Sequence, residues 1–298
     1  MSKLRMPAAA AAMALVSLVP AAQAGEGGGS SYPGGVENFL TGAAPPPGFY
    51  VLAYGNVFRA DKLKDDSGHD VPLPVFKIAA NVVSTRFVYS TPTTLAGGNL
   101  MLHAIVPLVD LKVDVPGLSQ RKTGLADITF GPGLAFHHSP NLHSVVGFDF
   151  VAPIGRYAKG DLTNIGRNYW SLQPLYTVSY LDAAGFNADA KLTFNFSRRN
   201  KDTDYRSGNE VYLDYSAGWG LGNGWVLGAG GYAMRQLTSD TQAGVSLANS
   251  KGAAFAIGPS LKYDNGKGWF ITAKWQREMS VRNRPEGNAL WIKTILPF

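Results

Sequence analysis

Cysteine is absent from all 298 residues, so disulfides, thiolate metal sites and cysteine nucleophiles are excluded together. Charge is scarce too: Asp, Glu, Lys and Arg make up 16% of the chain against 45% apolar residues, a balance that argues against a disordered chain. No phosphate loop is present, because the glycine-rich "GLGNGWVLGAGG" (220–231) lacks a Lys-Ser/Thr ending and a following helix. Charge-free stretches long enough to span a bilayer as a helix are nearly lacking. The one candidate, Tyr215 to Met234, carries seven glycines and a Gly222-Asn223-Gly224 turn signal, and so reads as two strands of a hairpin.

The first 24 residues have a basic start (Lys3, Arg5), an apolar segment from Ala8 to Val19 and the small-residue exit Ala22-Gln23-Ala24. This is the pattern of a secretory signal peptide, too short and wrongly flanked for a retained transmembrane helix. Its loss takes the formal charge from +6 to +4, too diffuse to imply nucleic acid.

Beyond Pro47 apolar and polar residues alternate, segment after segment, with Gly, Pro, Asn and Asp between the segments. A period of two marks strands. In "EVYLDYSAGWGL", Val211, Leu213, Tyr215, Ala217, Trp219 and Leu221 share one face, opposed by Glu210, Asp214 and Ser216. The same opposition recurs in "FNADAKLTFNFS", "AAFAIGPSLKYD" and "WFITAKWQREM". A soluble sandwich would alternate likewise, but charges of both signs in mid-strand suit a water-filled lumen.

Twelve segments are expected, near 48–61, 74–90, 98–114, 123–138, 143–157, 168–182, 185–201, 205–222, 224–240, 251–266, 268–285 and 287–298. The count is even, and short connections ("SPN", "DAAG", "GNG", "NGKG") mostly alternate with longer polar ones such as "KLKDDSGHDVPLP", "DVPGLSQRK" and "AKGDLTNIGRN". The brief "RPEG" connection breaks the rule. An all-β, antiparallel transmembrane barrel of about twelve strands follows, with both ends of the mature chain on the periplasmic side. The chain divides into a signal peptide (1–24), a Gly/Pro-rich segment (25–47) that packs at or in the lumen as a possible plug, and the barrel (48–298). Phe298, preceded by Leu290, Ile292 and Leu296 on one face, resembles the terminal signal that outer-membrane barrels offer their assembly machinery.

The arrangement Tyr32-Pro33, Gly35, Glu37, Gly42 and Pro46-Pro47-Gly48, with the later "GLADITFGPGL" (124–134), resembles the outer-membrane proteins grouped as the phenol meta-pathway degradation family. The resemblance implies a bacterial outer-membrane transporter for passive uptake of small hydrophobic or aromatic molecules. Its motif positions here are Tyr32, Glu37, Pro46, Pro47 and Asp127.

Inward-facing charges are the candidate pore lining: Lys77, Asp127, Asp149, Asp189, Lys191, Glu210, Asp214, Lys262, Lys274, Glu278 and Lys293. In an open channel they would sort solutes by charge, whereas in a closed barrel they would pair and fill the lumen. Of the five histidines, His69 neighbours Asp65, Asp66, Ser67 and Asp70, while His137, His138 and His143 flank a turn. Adjacent His137 and His138 point to opposite strand faces, so at most one of them could join His143, and no metal site is expected. No catalytic residue and no cofactor is assigned. The expected partners are outer-membrane lipid, the assembly machinery and small hydrophobic solutes, with no nucleic acid. A barrel hydrolase acting on lipid or peptide, and a closed structural or adhesive barrel, are the alternatives. Nothing in the sequence fixes an oligomeric state.

Overall fold

The computed structural model describes residues 25–296, so the expected signal peptide and Phe298 lie outside the described residues. The wall consists of β1 (Gly48–Leu63), β2 (Lys77–Leu95), β3 (Gly98–Val115), β4 (Leu118–Leu125 continuing as Ile128–His137), β5 (Leu142–Ala152), β6 (Ser171–Tyr180), β7 (Phe186–Ser197), β8 (Glu210–Gly220), β9 (Trp225–Gln236), β10 (Ala253–Asp264), β11 (Phe270–Arg282) and β12 (Pro285–Leu296). Each strand pairs antiparallel with its sequence neighbours, and β1 closes on β12 from Val51↔Leu296 to Leu63↔Pro285. Among the described residues closure pairs the wall strands on both sides through the bilayer, as a sheet in hydrocarbon requires, and the Leu118–Leu125 arm above it pairs on one side only.

The outward side chains define an apolar band. Val57, Val83, Leu108, Val146, Leu192, Leu213, Leu227, Ile257, Leu290 and Ile292 are exposed around the wall. Beside the short turns lies an aromatic girdle that includes Tyr180, Phe186, Trp219 and Trp225, with Trp225 and Trp269 flanking Tyr263 at ring-centroid distances of 4.9 and 6.1 Å. Such girdles mark a membrane interface, and the short turns mark its periplasmic side. Trp291 is the exception, buried on the inward face.

At the other end the band stops abruptly. Outward of Val57, Val83 and Leu108 come Arg59, Asn81 and Asp110, joined by hydrogen bonds: Arg59 Nη2 donates to Asn81 Oδ1 (2.8 Å), and Asn81 Nδ2 to Asp110 Oδ2 (3.2 Å). Arg121 grips both oxygens of Asp110 at 2.7 Å. The β3–β4 hairpin therefore projects above the bilayer. Here the structure corrects the expected long loop at "DVPGLSQRK": the ladder runs unbroken to Val115↔Leu118 across a two-residue Pro116-Gly117 turn. Gly117 adopts φ +76°, the conformation that the third position of a type II turn demands.

Apart from the equally short Asn283-Arg284 link between β11 and β12, the remaining outer loops are longer. Three two-residue strands, Tyr205–Arg206, Thr241–Gln242 and Val245–Ser246, form a small sheet over the external mouth. In the loop after β1, Asp65 accepts the backbone N–H groups of Ser67 (2.9 Å) and His69 (2.8 Å). The His69 N–H leads the contacts that hold the Asp65 carboxyl below its usual range.

Candidate functional site: a lumen closed by its own N-terminal segment

Residues 25–47 run through the barrel from end to end. Gly25 N–H donates to Asp240 Oδ2 (3.0 Å), and Asp240 also accepts from Gly208 N–H (2.7 Å), Tyr205 Oη (2.5 Å) and Gln236 Nε2 (2.7 Å). This hub belongs to the external loops. Lower down, Gly42 N–H donates to Ser179 Oγ (2.7 Å), and Ser90 Oγ donates to Pro45 C=O (3.0 Å) at the periplasmic rim. Gly25 thus sits at the external end, against the expectation that the mature chain begins on the periplasmic side. The segment descends the lumen, and after Pro46-Pro47 the chain turns back upward as β1.

Most of the predicted inward charges hold this segment. Glu210 accepts from Ser30 Oγ (2.5 Å) and from Asn195 Nδ2 (2.7 Å). Asp214 accepts three donors, Tyr32 Oη (2.5 Å), Gly35 N–H (2.8 Å) and Glu37 N–H (3.3 Å). Lys274 Nζ donates to Glu37 C=O (2.5 Å), and Lys293 Nζ to Phe39 C=O (3.0 Å) and Glu37 Oε2 (3.3 Å). Asp189 accepts Thr41 N–H (2.9 Å) as well as the Ser179 hydroxyl. Lys191 lies 3.8 Å from Glu37 Oε1 and 5.2 Å from the centre of the Tyr32 ring, a cation–π distance.

Other predicted residues sit elsewhere. Lys77 is exposed on the outward face of β2, in register with Asp114 near the β3–β4 tip, because it shares parity with Val83 and Phe87. Asp127 occupies the bend of β4, where its oxygens accept Gly155 N–H (2.9 Å) and Arg167 N–H (2.7 Å) and clasp the following loop. Glu278 accepts Gly287 N–H (2.8 Å) and the Tyr232 hydroxyl, and so braces the wall. Asp149 faces His103 at 2.7 Å. Lys262 lines a periplasmic recess of about 460 Å³ beneath Leu40. Of the motif positions, Tyr32 and Glu37 are buried in the lumen, while Pro46 accepts a hydrogen bond from Tyr50 Oη (3.0 Å) and Pro47 ends the segment. His137 meets His143 (2.9 Å) and His138 meets Ser144 (2.7 Å) at the periplasmic turn.

The sequence reading missed Arg86, His103 and Arg284. Arg86 Nη1 stands 3.4 Å from Glu37 Oε1 and 3.3 Å from Tyr54 Oη, while Arg284 Nη1 is 3.6 Å from Glu210. A signal for Arg86 existed: Ser84, Arg86, Val88 and Ser90 alternate against Val83, Phe87 and Tyr89.

Close approach depends on glycine. Gly35 has φ +80°, and a Cβ there would fall 2.2 Å from Gln276 Nε2. At Gly218 a Cβ would meet the Phe39 ring at 3.0 Å. Apolar packing completes the seal, with Tyr32 and Val36 against Tyr212, Tyr232, Met234 and Val281. The lumen cavity bordered by Glu37, Arg86, His103, Asp149 and Lys191 measures only about 40 Å³. That is room for water and not for an organic solute.

Comparison with known proteins agrees with this architecture. Residues 60–294 match the family model described as "Putative MetA-pathway of phenol degradation". The chain belongs to this family. Among solved structures, an outer membrane channel from Pseudomonas putida F1 superposes with a TM-score of 0.78 at 16% identity, covering 88% of this chain and all of that one. The transport unit of the autotransporter AIDA-I from Escherichia coli gives 0.51 at 9% identity, covering 88% of this chain and 93% of that one. Identities this low establish the shared barrel fold alone. No match was found among the curated proteins. Family membership, the closed twelve-stranded barrel and its apolar band place the protein in the bacterial outer membrane.

Two substitutions probe the hold on the segment. Hydrogen bonds to a charged group contribute roughly 1.5–3 kcal/mol each, so weakening the Asp214 set is expected to loosen the segment's hold by about tenfold or more. Asp214→Asn is expected to raise open probability in single-channel records and to expose residues 25–42 to added protease. Gly35→Ala is expected to act the same way more weakly, since a left-handed alanine costs roughly 1–2 kcal/mol.

Proposed function

We propose that this protein is an outer-membrane channel for passive uptake of small hydrophobic or aromatic molecules, with residues 25–47 as a displaceable plug. The observation that carries this reading is the match between plug and wall: outside the Glu37 ion pairs, the segment is held chiefly by hydrogen bonds to inward polar groups, contacts that water can replace when it leaves. The periplasmic recess beneath Leu40 gives a released solute an exit vestibule of the size of ordinary ligand pockets. Family membership supports the link to aromatic-compound degradation, and the channel from Pseudomonas putida F1 supports transport over catalysis.

A hydrolase is less well supported. Asp65 serves a turn, and His69 Nδ1 lies 3.8 Å from Asp65 on the solvent-exposed loop. The test of the channel reading is uptake of labelled phenol by porin-poor cells with and without the gene. Faster uptake with the gene is expected, and equal rates in cells that carry the assembled barrel would overturn it. For the assembly machinery as partner, Phe298→Ala is expected to lower the amount of heat-modifiable barrel in the outer membrane, and full assembly would remove that partner assignment.

A further inference from the structure

Glu37 stands in the lumen as a carboxylate ligand to three wall cations drawn from distant strands. Arg86 from β2 (3.4 Å), Lys191 from β7 (3.8 Å) and Lys293 from β12 (3.3 Å) converge on its two oxygens. Among the described residues, no carboxylate of the wall comes within ion-pair distance of any of the three. Their other close contacts are Tyr54 Oη for Arg86, the Tyr32 ring for Lys191 and the Phe39 carbonyl for Lys293, the last two again belonging to the plug.

The acids of the wall are placed differently. Asp149 keeps His103, Glu210 keeps Asn195 and Arg284, Asp189 keeps Ser179, and Glu278 keeps Tyr232 and Gly287 when the plug leaves. Asp214 is the exception, because its three donors, Tyr32, Gly35 and Glu37, all belong to the plug; apart from it, displacing the plug strips partners mainly from the cations. When Glu37 leaves, the three cations lose the carboxylate that holds them at ion-pair distance, and the wall acids, Asp149 among them, offset their mutual repulsion only from farther away. A solute that brings its own carboxylate makes good that loss, whereas a neutral one does not.

The cavity that Arg86 and Lys191 border also carries apolar side chains. Met101, Pro132, Val145 and Leu175 line the same cavity as Arg86 and Lys191, together with Asp149, which is held by His103. A ring with a carboxylate at one edge matches this pairing of cations with apolar side chains. The cavity cannot admit such a ring while Glu37 is seated, so binding and plug release are coupled.

We propose that Arg86, Lys191 and Lys293 form a carboxylate-binding site of the channel, occupied by Glu37 in the closed state, and that small aromatic carboxylates open the channel by taking the place of Glu37. This rests on the channel reading and adds a substrate class to it. Glu37 is an internal competitor: the weaker its hold, the lower the solute concentration needed to open the pore.

The test compares benzoate with its neutral isostere benzamide as labelled solutes entering proteoliposomes at zero membrane potential. Wild-type protein is expected to pass benzoate faster on the order of tenfold, as loss of a charged partner predicts. In Lys191→Met/Lys293→Met the benzoate-to-benzamide ratio is expected to fall toward one. Glu37→Gln, which keeps all three cations, is expected to lower the benzoate concentration that gives half-maximal flux. Heat-modifiable migration establishes that each variant has folded. Equal wild-type rates for the two solutes, or a preference that survives in the double variant, would overturn the carboxylate site and leave the channel standing. Failure of both solutes to pass through any folded variant would overturn the channel reading itself.

Discussion

Deletion of residues 25–42 is expected to turn a nearly closed barrel into an open pore, with single-channel conductance rising on the order of tenfold. The expectation follows from what fills the lumen. Twelve strands lie between the eight that side chains alone can fill and the sixteen or more that leave an aqueous channel, so this barrel needs an added filler to close. The filler here is main chain as well as side chain: Tyr32, Glu37, Asn38 and Phe39 are all buried. The wall does not depend on it for its strand ladder, which closes between β1 and β12 without any contribution from residues before Gly48. The deleted protein should therefore fold, and its lumen should be lined by Arg86, Lys191, Lys293, Asp189, Asp214 and Glu210 in water. Mixed charge predicts weak ion selectivity in that open state. Unchanged conductance in a correctly folded deletion variant would mean that side chains of the wall, and not the segment, close the pore.

The sequence showed its barrel plainly because lipid and lumen impose opposite chemistry on adjacent residues. Val211, Leu213 and Tyr215 against Glu210, Asp214 and Ser216 suit a wall with one face in each environment, and mid-strand charges of both signs tell its lumen from the solvated face of a sandwich. The tight periplasmic turns were equally legible, since Gly222-Asn223-Gly224 can hardly be anything else. The hairpin tip was not, because Pro116-Gly117 sits among polar residues that suit a loop as well as strands standing in water. Lys77 was misplaced for a related reason: above the bilayer the outward face is polar too, so polarity no longer tells inside from outside.

The path of the plug was hidden more deeply. Glu37 and Lys293 are 256 residues apart, and nothing local to either announces the other. The glycines at 34, 35 and 42 were visible, but a flexible lead and a segment that must fit closely against a wall have the same composition. Only the contacts distinguish them: a Cβ at Gly42 would lie 2.9 Å from the Ser179 backbone nitrogen. Arg86 escaped notice because a single charge in the apolar and hydroxylic run from Val82 to Leu95 looks incidental until its partner is known.

Pinning the plug addresses the central claim most directly. Ser31 Oγ donates to Ser171 Oγ at 3.0 Å, so cysteines at these two positions need only a small approach to reach the roughly 2.05 Å of a disulfide. The chain contains no other cysteine, so the bridge has no competitor. Bonded to the wall at position 31 and continuous with β1 from Gly48, the segment is held at both ends and cannot leave the lumen. Solute flux through Ser31→Cys/Ser171→Cys in proteoliposomes, measured oxidised and again after reductant, is the measurement. The account predicts near-zero flux of aromatic solute when oxidised, restored to the wild-type rate on reduction. Equal flux in both states, with the bridge confirmed by mass, would show that solutes pass without moving the segment and would contradict the account.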